Sequence, residues 1–498
     1  MILTLDFGSS VTKAALWGPD GPVAWSGCDV ETSHPRPGRS EQDPGAWWPA
    51  LVDACAGLRD RAPEAFAAVD VVGCTGARET LVMADADGRA LGPAILWSDR
   101  RAVAEAQCLN SAPAESGPSR GGTGSPLDGS SVAAKLAWLS ANEPARSEAA
   151  RWVLAPRDLM VGRLTDVVAT DATMASRSGL YDADGRLDDA LVGSWAPRLP
   201  PVVPSDRVTG TLTPTSAEAL GLAAGTPVVI GAGDRACEVL GTGATESCPM
   251  VSWGTTANVS VPVAERPERA PAGIVLSRST EGGWLLEGGL SAAGSLLSWI
   301  GSLTGNHPDE LALRAAQSPP GARGVVATPW LEGARAPWWR PDATVDVVGL
   351  QSVHGPADLA RAAFEAVAWE VQRCLESIAR RAPEGPPPTG VTLGGSGAGV
   401  GVWTDVLAGV TGLPSVGRRS GQAASAGAAI LAARAVASPA VDLDRLDPVA
   451  RRTEPDPEDV RCYRALRARS DRLATTMLGL HGSRGTEGGT DGEAFPCG

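Results

Sequence analysis

The feature that most constrains this 498-residue chain is a repeat at half-chain distance. Ile2–Phe7 is apolar and β-prone, Gly8-Ser9-Ser10 interrupts it, and Val11–Trp17 resumes. Met250–Trp253 is apolar in the same way, Gly254-Thr255-Thr256 interrupts it, and Ala257–Val263 resumes with alternation. Asp6-Phe7-Gly8-Ser9-Ser10 thus lies against Ser252-Trp253-Gly254-Thr255-Thr256, each between two short strands. A supersecondary unit met twice predicts two domains of related topology.

The remaining pattern alternates helices and strands. Helical periodicity covers Gly45–Arg61, Arg100–Leu109 and Ser131–Ser140, with strands at Val69–Cys74 and Val228–Ala232. Leu359–Arg380 is a helix with Phe364, Val367, Val371, Cys374 and Ile378 along one stripe. Strand Gly390–Leu393 leads into a Gly394–Gly401 loop, followed by helices at Thr404–Thr411, Ala423–Ala437 and 459–475. The Gly/Ser/Pro stretch 110–126 and the Pro-rich stretch 383–388 read as loops, and the polar tail from Gly482 as disordered. The expected division is a first domain over 1–245, a second over 246–440 and a C-terminal extension over 441–498.

Composition limits the classes of function. With 16 Trp but only 4 Phe and 2 Tyr, the core must be built largely from Ala, Val, Leu and Gly, which favours close packing of elements. A net charge of −14 argues against a nucleic-acid or anionic-membrane partner, although a local Arg cluster can still bind an anion. Nine scattered Cys without a C-x-x-C, and only four His, argue against a disulfide framework or structural zinc. An N-terminus that turns acidic at Asp6, and the lack of an apolar run of about 20 residues, predict a soluble cytoplasmic protein.

Three Gly-rich loops follow strands: Gly8-Ser9-Ser10, Gly254-Thr255-Thr256 and Gly395-Ser396-Gly397. Glycine admits an anion close to the backbone, where N–H groups and hydroxyls cradle phosphate oxygens. Two such hairpins in related halves suggest a triphosphate clamped between two domains. Neither a P-loop nor a dinucleotide fingerprint is present. Asp6, directly before the first loop, could hold Mg²⁺ beside the phosphates or simply cap its turn. Asp234, at a strand end before a helix, reads as an N-cap whose carboxylate can still face a ligand.

The motifs together resemble the FGGY carbohydrate kinases. Asp6-Phe7-Gly8-Ser9-Ser10-Val11-Thr12-Lys13 is similar to the family's N-terminal phosphate loop. Ser40–Pro44 with Trp47-Trp48, Pro93–Arg101, Lys135–Leu139, Gly349-Leu350 with Phe364-Glu365, Gly231–Asp234 and Gly395–Ala398 resemble further family segments, in order over about residues 1–440. The chain's only lysines, Lys13 and Lys135, fall on motif positions.

The resemblance implies an α/β fold of two ribonuclease-H-like domains of the actin/sugar-kinase/Hsp70 type with an interdomain cleft. It also implies an ATP- and Mg²⁺-dependent kinase, xylulose- or glycerol-kinase-like, acting on a small sugar or polyol. Asp234 would be the general base and Asp6 the metal ligand. Gly8, Ser9, Ser10, Lys13, Gly254, Thr255, Thr256, Gly395, Ser396 and Gly397 would bind ATP. A homodimer is a further family-level implication.

The acceptor positions depart from one branch to another. Ala77-Arg78-Glu79-Thr80 resembles the glycerol-kinase branch, in which an Arg-Glu pair grips hydroxyls, and Trp97 matches an indole that packs on the substrate's carbon skeleton. Ser130 stands where that branch carries a tyrosine. Arg235 stands where Asn or Gln is usual. A cation there could bind an aldonate, giving a gluconate-type kinase, or could pair with Glu79 or Glu238 and leave a neutral pocket. The rival readings from another class are a non-catalytic actin-like ATP-binding switch and a sugar sensor.

Overall fold

The computed structural model describes residues 1–111, 126–182, 184–268, 270–381, 385–436 and 441–484. The expected disordered tail therefore lies outside the described residues from 485 on, as does most of the 110–126 loop. The chain forms two compact units. The first comprises Met1–Gly243, Leu276–Trp284 and Ala423–Pro448; the second comprises Ala244–Val275, Leu285–Gln422 and Val449–Gly498.

The first unit is built on strands β1 (Ile2–Phe7), β2 (Val11–Gly18), β3 (Gly21–Asp29), β4 (Val71–Gly76), β5 (Val208–Thr211) and β6 (Pro227–Gly233). Their order in the sheet is β5-β6-β4-β1-β2-β3. The hairpins β1–β2 and β2–β3 are antiparallel, whereas β4 runs parallel to both β1 and β6. Every residue of β4 is buried, the pattern of a parallel strand covered on both faces. Helices α1 (Trp47–Arg61), α2 (Val132–Asn142), α3 (Pro156–Thr165) and α4 (Asp234–Thr242) belong to this unit. Leu3, Leu5, Leu51, Leu58, Val72 and Ile230 anchor its largest apolar core.

The second unit repeats the plan. Strands β7 (Met250–Trp253), β8 (Ala257–Val263), β9 (Trp284–Leu290), β10 (Val391–Gly394), β11 (Ser415–Arg418) and β12 (Val449–Thr453) lie in the order β9-β8-β7-β10-β11-β12 within a seven-stranded sheet. The central strand, β7, is again antiparallel to the next in sequence and parallel to the strand on its other side. Helices α5 (Gly294–Thr304), α6 (Pro356–Arg381) and α7 (Gly401–Thr411) accompany it. The repeat read from sequence is thus a repeat of the hairpin and its parallel neighbour, with each Gly-rich loop joining the first two strands of its sheet, while the strands further out differ in number and chain order.

The Ala-rich helix α8 (Ala423–Ala435) departs from the linear division expected from sequence, because it packs with the first unit. Its small residues explain this. A Cβ on Gly427 would lie 2.0 Å from the Cys237 carbonyl oxygen, and one on Gly241 would lie 2.0 Å from that of Ala423. Backbone meets backbone across α4 and α8, the close approach anticipated from an aromatic-poor core. The last helix, α9 (Pro457–Arg484), is longer than expected and continues past Gly482.

Candidate active site

In the first unit, the β1–β2 hairpin sets the centre of the site. Asp6 lies opposite Lys13 in the antiparallel ladder and beside Thr75 in the parallel one. Its Oδ1 is sealed from solvent and has no hydrogen-bond partner among the described residues. Burial pushes the Asp6 carboxyl up to about 6; Lys13 opposes this, while the charges of Asp234 and Glu238 push the same way. The fold therefore brings Asp6, Lys13 and Asp234 into one electrostatic neighbourhood.

The loop after Asp6 is held from three sides. The Ser10 carbonyl accepts from the Val30 N–H at 2.8 Å. Gln42 Nε2 donates to the Ser9 carbonyl at 2.5 Å, and Trp47 Nε1 in turn donates to Gln42 Oε1 at 3.1 Å. Trp97 Nε1 donates to Ser9 Oγ at 2.8 Å. The sequence motif containing Gln42 was visible, but this clamp on the loop was not. A shared acid joins the two motifs, since buried Asp99 accepts from the Ser40 N–H at 2.7 Å and from Arg101, which also reaches Glu41 at 2.6 Å.

Asp234 is the first residue of α4 and remains 39% exposed, so a ligand can reach it. Its Oδ1 accepts from the Arg235 N–H at 2.7 Å and lies 3.6 Å from Arg78 Nε. The stem of Arg78 runs over Gly233, where a Cβ would come within 2.6 Å of it. Arg235 pairs with Glu238, one helical turn on. That ion pair is one of the two environments expected for Arg235.

Glu79 is held through both its backbone carbonyl and its carboxylate. Its backbone adopts φ +63°, a left-handed conformation that costs a bulky residue of order 1 kcal/mol or more. Lys135, fully buried, donates to the Glu79 carbonyl at 2.6 Å and to the Leu96 carbonyl at 2.8 Å. One ammonium thus ties together the segments carrying Glu79 and Trp97. Burial pulls the Lys135 ammonium down to about 8, against the opposing charges of Glu79, Asp99 and Asp128. The Glu79 carboxylate pairs with Arg177 and lies 3.2 Å from Ser130 Oγ. Ser130 therefore keeps a hydroxyl in this region although it is far shorter than a tyrosine. Arg177 carries no motif in the sequence and its proximity to Glu79 spans 98 positions, so only the fold reveals it.

In the second unit, the Gly254 N–H donates to the Thr256 carbonyl at 2.8 Å, closing a tight loop. The N-terminus of α5 caps its far side: the Gly294 N–H reaches the Gly254 carbonyl at 3.0 Å, and the Ser295 N–H reaches that of Thr255 at 3.1 Å. A Cβ on Gly254 would meet only the Thr256 oxygen, at 3.9 Å, so the face of the loop is open. Gly395 and Gly397 have a different constraint. Gly395 sits at φ +73° with its virtual Cβ 2.3 Å from the Trp253 carbonyl, and that of Gly397 would fall 2.0 Å from the Trp253 ring. Both glycines seat their loop on Trp253, whereas Ser396 between them is exposed.

Residues 1–241 match the N-terminal domain model, and residues 249–436 the C-terminal domain model, of the FGGY family of carbohydrate kinases. The chain is 31% identical over 493 residues to a xylulose kinase of Escherichia coli (strain K12), covering 96% of this chain and 100% of that one. It is also 31% identical over 432 residues to a glycerol kinase of Gloeobacter violaceus, covering 83% and 84%. A xylulose kinase structure from Rhodospirillum rubrum superposes with a TM-score of 0.83 at 27% identity, covering 96% of this chain and 99% of that one.

Proposed function

The chain belongs to the FGGY family of carbohydrate kinases, and from that premise we propose that it phosphorylates a hydroxyl of a small neutral sugar or polyol, with Asp234 as general base. It is an ATP-dependent phosphotransferase with an alcohol acceptor. No helix among the described residues is long and apolar enough to cross a membrane.

The observation that carries the neutral acceptor is charge pairing. Arg78 stands against Asp234, Arg177 against Glu79, and Arg235 against Glu238. Each cation has a carboxylate, so an acidic sugar would have to displace an existing ion pair, whereas a polyol needs only hydroxyl contacts. This argues against the gluconate-type alternative. Glu79 would accept from acceptor hydroxyls and Trp97 would pack on the carbon skeleton.

Asp234 Oδ1 is already engaged by the Arg235 N–H and lies near Arg78, so Oδ2 would take the proton as the acceptor oxygen attacks phosphorus. The Ser9, Ser10, Thr255 and Thr256 loops would bind phosphate oxygens, with Lys13 adding a positive charge beside the first. Ser396 would stand by the adenosine moiety. Phosphoryl transfer rests mainly on such positioning and charge stabilisation.

Mg²⁺ fits Asp6 on chemical grounds: an ionisable oxygen buried without a partner is a poor structural element but a suitable ligand for a hard cation. Among the described residues no cluster of three metal-binding side chains occurs, which suits an ion held chiefly by phosphates and water. When bound, the ion would neutralise charge on the phosphates.

The deciding experiment measures ADP release with Mg·ATP across polyols, ketoses and aldonates. Release that depends on a neutral polyol or ketose supports the reading. Preference for an aldonate overturns the neutral acceptor, and acceptor-independent behaviour favours an ATP-binding switch.

A further inference from the structure

Asp234 takes its direction from the two glycine peptides that precede it, and the ladder is interrupted at the first of them. Strand β6 pairs with β4 through Val229↔Gly73 and then Ala232↔Thr75, so β6 carries one extra residue. At the bulge, Gly231 has φ +70° and a Cβ there would fall 1.6 Å from the Cys74 carbonyl oxygen, which no side chain can accommodate. The Gly231 carbonyl accepts from Arg157 Nη1 at 3.1 Å, and the Gly233 N–H donates to Thr173 Oγ1 at 2.8 Å.

These two bonds belong to one closed circuit. Thr173 Oγ1 donates to Asp171 Oδ2 at 2.7 Å, and Asp171 Oδ1 takes the same Arg157 Nη1 at 2.7 Å. Arg157, Asp171 and Thr173 are all fully buried. Burial works against the charge of Arg157, but Asp158 and Asp171 outweigh it and hold the guanidinium above its ordinary value. A buried ion pair adds little net stability compared with apolar packing of the same volume. Its worth here is geometric, because it grips the peptides on both sides of Ala232 and so sets where β6 ends and α4 begins.

We propose that Arg157, Asp171 and Thr173 form a positioning device that aims the Asp234 carboxylate, acting on the reaction through Asp234 without touching either substrate. The proposal rests on the reading of Asp234 as the base. A hydroxyl that accepts from a peptide N–H while donating to a carboxylate has a fixed orientation and strengthens both bonds. Loss of that hydroxyl frees the Gly233 peptide to rotate, and a small misplacement of a reacting group is expensive in rate.

The test uses the near-isosteric Thr173→Val in the full-length protein. The expected result is a kcat about 10-fold or more below wild type, with KM for acceptor and for ATP within about 2-fold, and recovery of most of the rate in Thr173→Ser. In an Asp234→Asn background, Thr173→Val should cost nothing further. Full kcat in Thr173→Val overturns the proposal, and so does an equal loss in both backgrounds, which marks a merely structural effect. Near-normal kcat in Asp234→Asn alone removes the base assignment instead, so the two failures are distinguishable. Thr173→Ala, which adds no methyl against Gly233, serves if the valine variant does not fold.

Discussion

The two halves build the same loop between the first two strands of their sheets and give it opposite character. In the first, Asp6 and Lys13 face each other across β1 and β2, and one Asp6 oxygen is buried without a partner. In the second, the equivalent strands from Met250 to Val263 contain no charged residue, and the loop Gly254–Thr256 is a neutral cradle capped by a helix N-terminus. A duplicated hairpin thus carries facing charges in one unit and none in the other. On the proposed reading this is a division of labour: the charged hairpin would serve metal and acceptor chemistry, while the uncharged loop would offer N–H groups and hydroxyls to phosphate.

That division can be broken first at Asp234. Asp234→Asn should lower kcat by about 10²-fold or more, the usual share of a general base, while calorimetry finds ATP affinity unchanged. Weakened ATP binding in that variant would mean the two halves are not functionally separate. Next, Glu79→Gln should raise the acceptor KM by roughly 10-fold or more, consistent with loss of charge-assisted contacts of about 1.5–3 kcal/mol, and leave the KM for ATP alone.

The neutral half should show the converse. Gly254→Val should fold, because its Cβ has open space, and should weaken ATP by about 10-fold with little change in acceptor KM. Gly395→Val is expected to behave differently from a simple nucleotide-site variant. Its side chain would collide with the Trp253 carbonyl from a left-handed backbone, so a fall in melting temperature should accompany or precede any loss of ATP binding.

A smaller effect separates Lys135 from both loops. Its folded pKa, about 8, lies below the ordinary 10.5, so between these values the unfolded chain holds a proton that the folded protein has released. Stability of the wild type relative to Lys135→Met should therefore rise from about pH 8 to 10.5, by at most about 3 kcal/mol, in urea titrations. A flat difference would mean that Lys135 keeps its ordinary affinity for protons. The smallest effect is expected at Arg235. Because it is committed to Glu238, Arg235→Gln should shift preference between matched neutral and acidic sugars by less than about 2-fold. A large shift would reinstate the acidic acceptor.

Much of the scaffold was legible because strand repeats and loop glycines are local. Met250–Trp253 and Ala257–Val263 form at the residues expected, and Asp6, Asp234, Glu79 and Trp97 stood in motifs. Position in a motif did not reveal contacts. The sequence left Arg235 between two environments, gave Gln42 no task, and assigned Gly395 and Gly397 to ATP without showing that Trp253 also requires them to be glycine.

What the sequence determined by itself is the architecture and the chemistry on offer, since hydrophobic periodicity and glycine punctuation act within a few residues of the chain. Tertiary structure alone decided which charges meet. Arg177 reaches Glu79 over 98 positions, and Lys135 binds one carbonyl 56 and another 39 positions away. The Arg157 contact with Gly231 spans 74. Such pairings have no local signature, because a buried charge is stable wherever the folded backbone happens to present a partner.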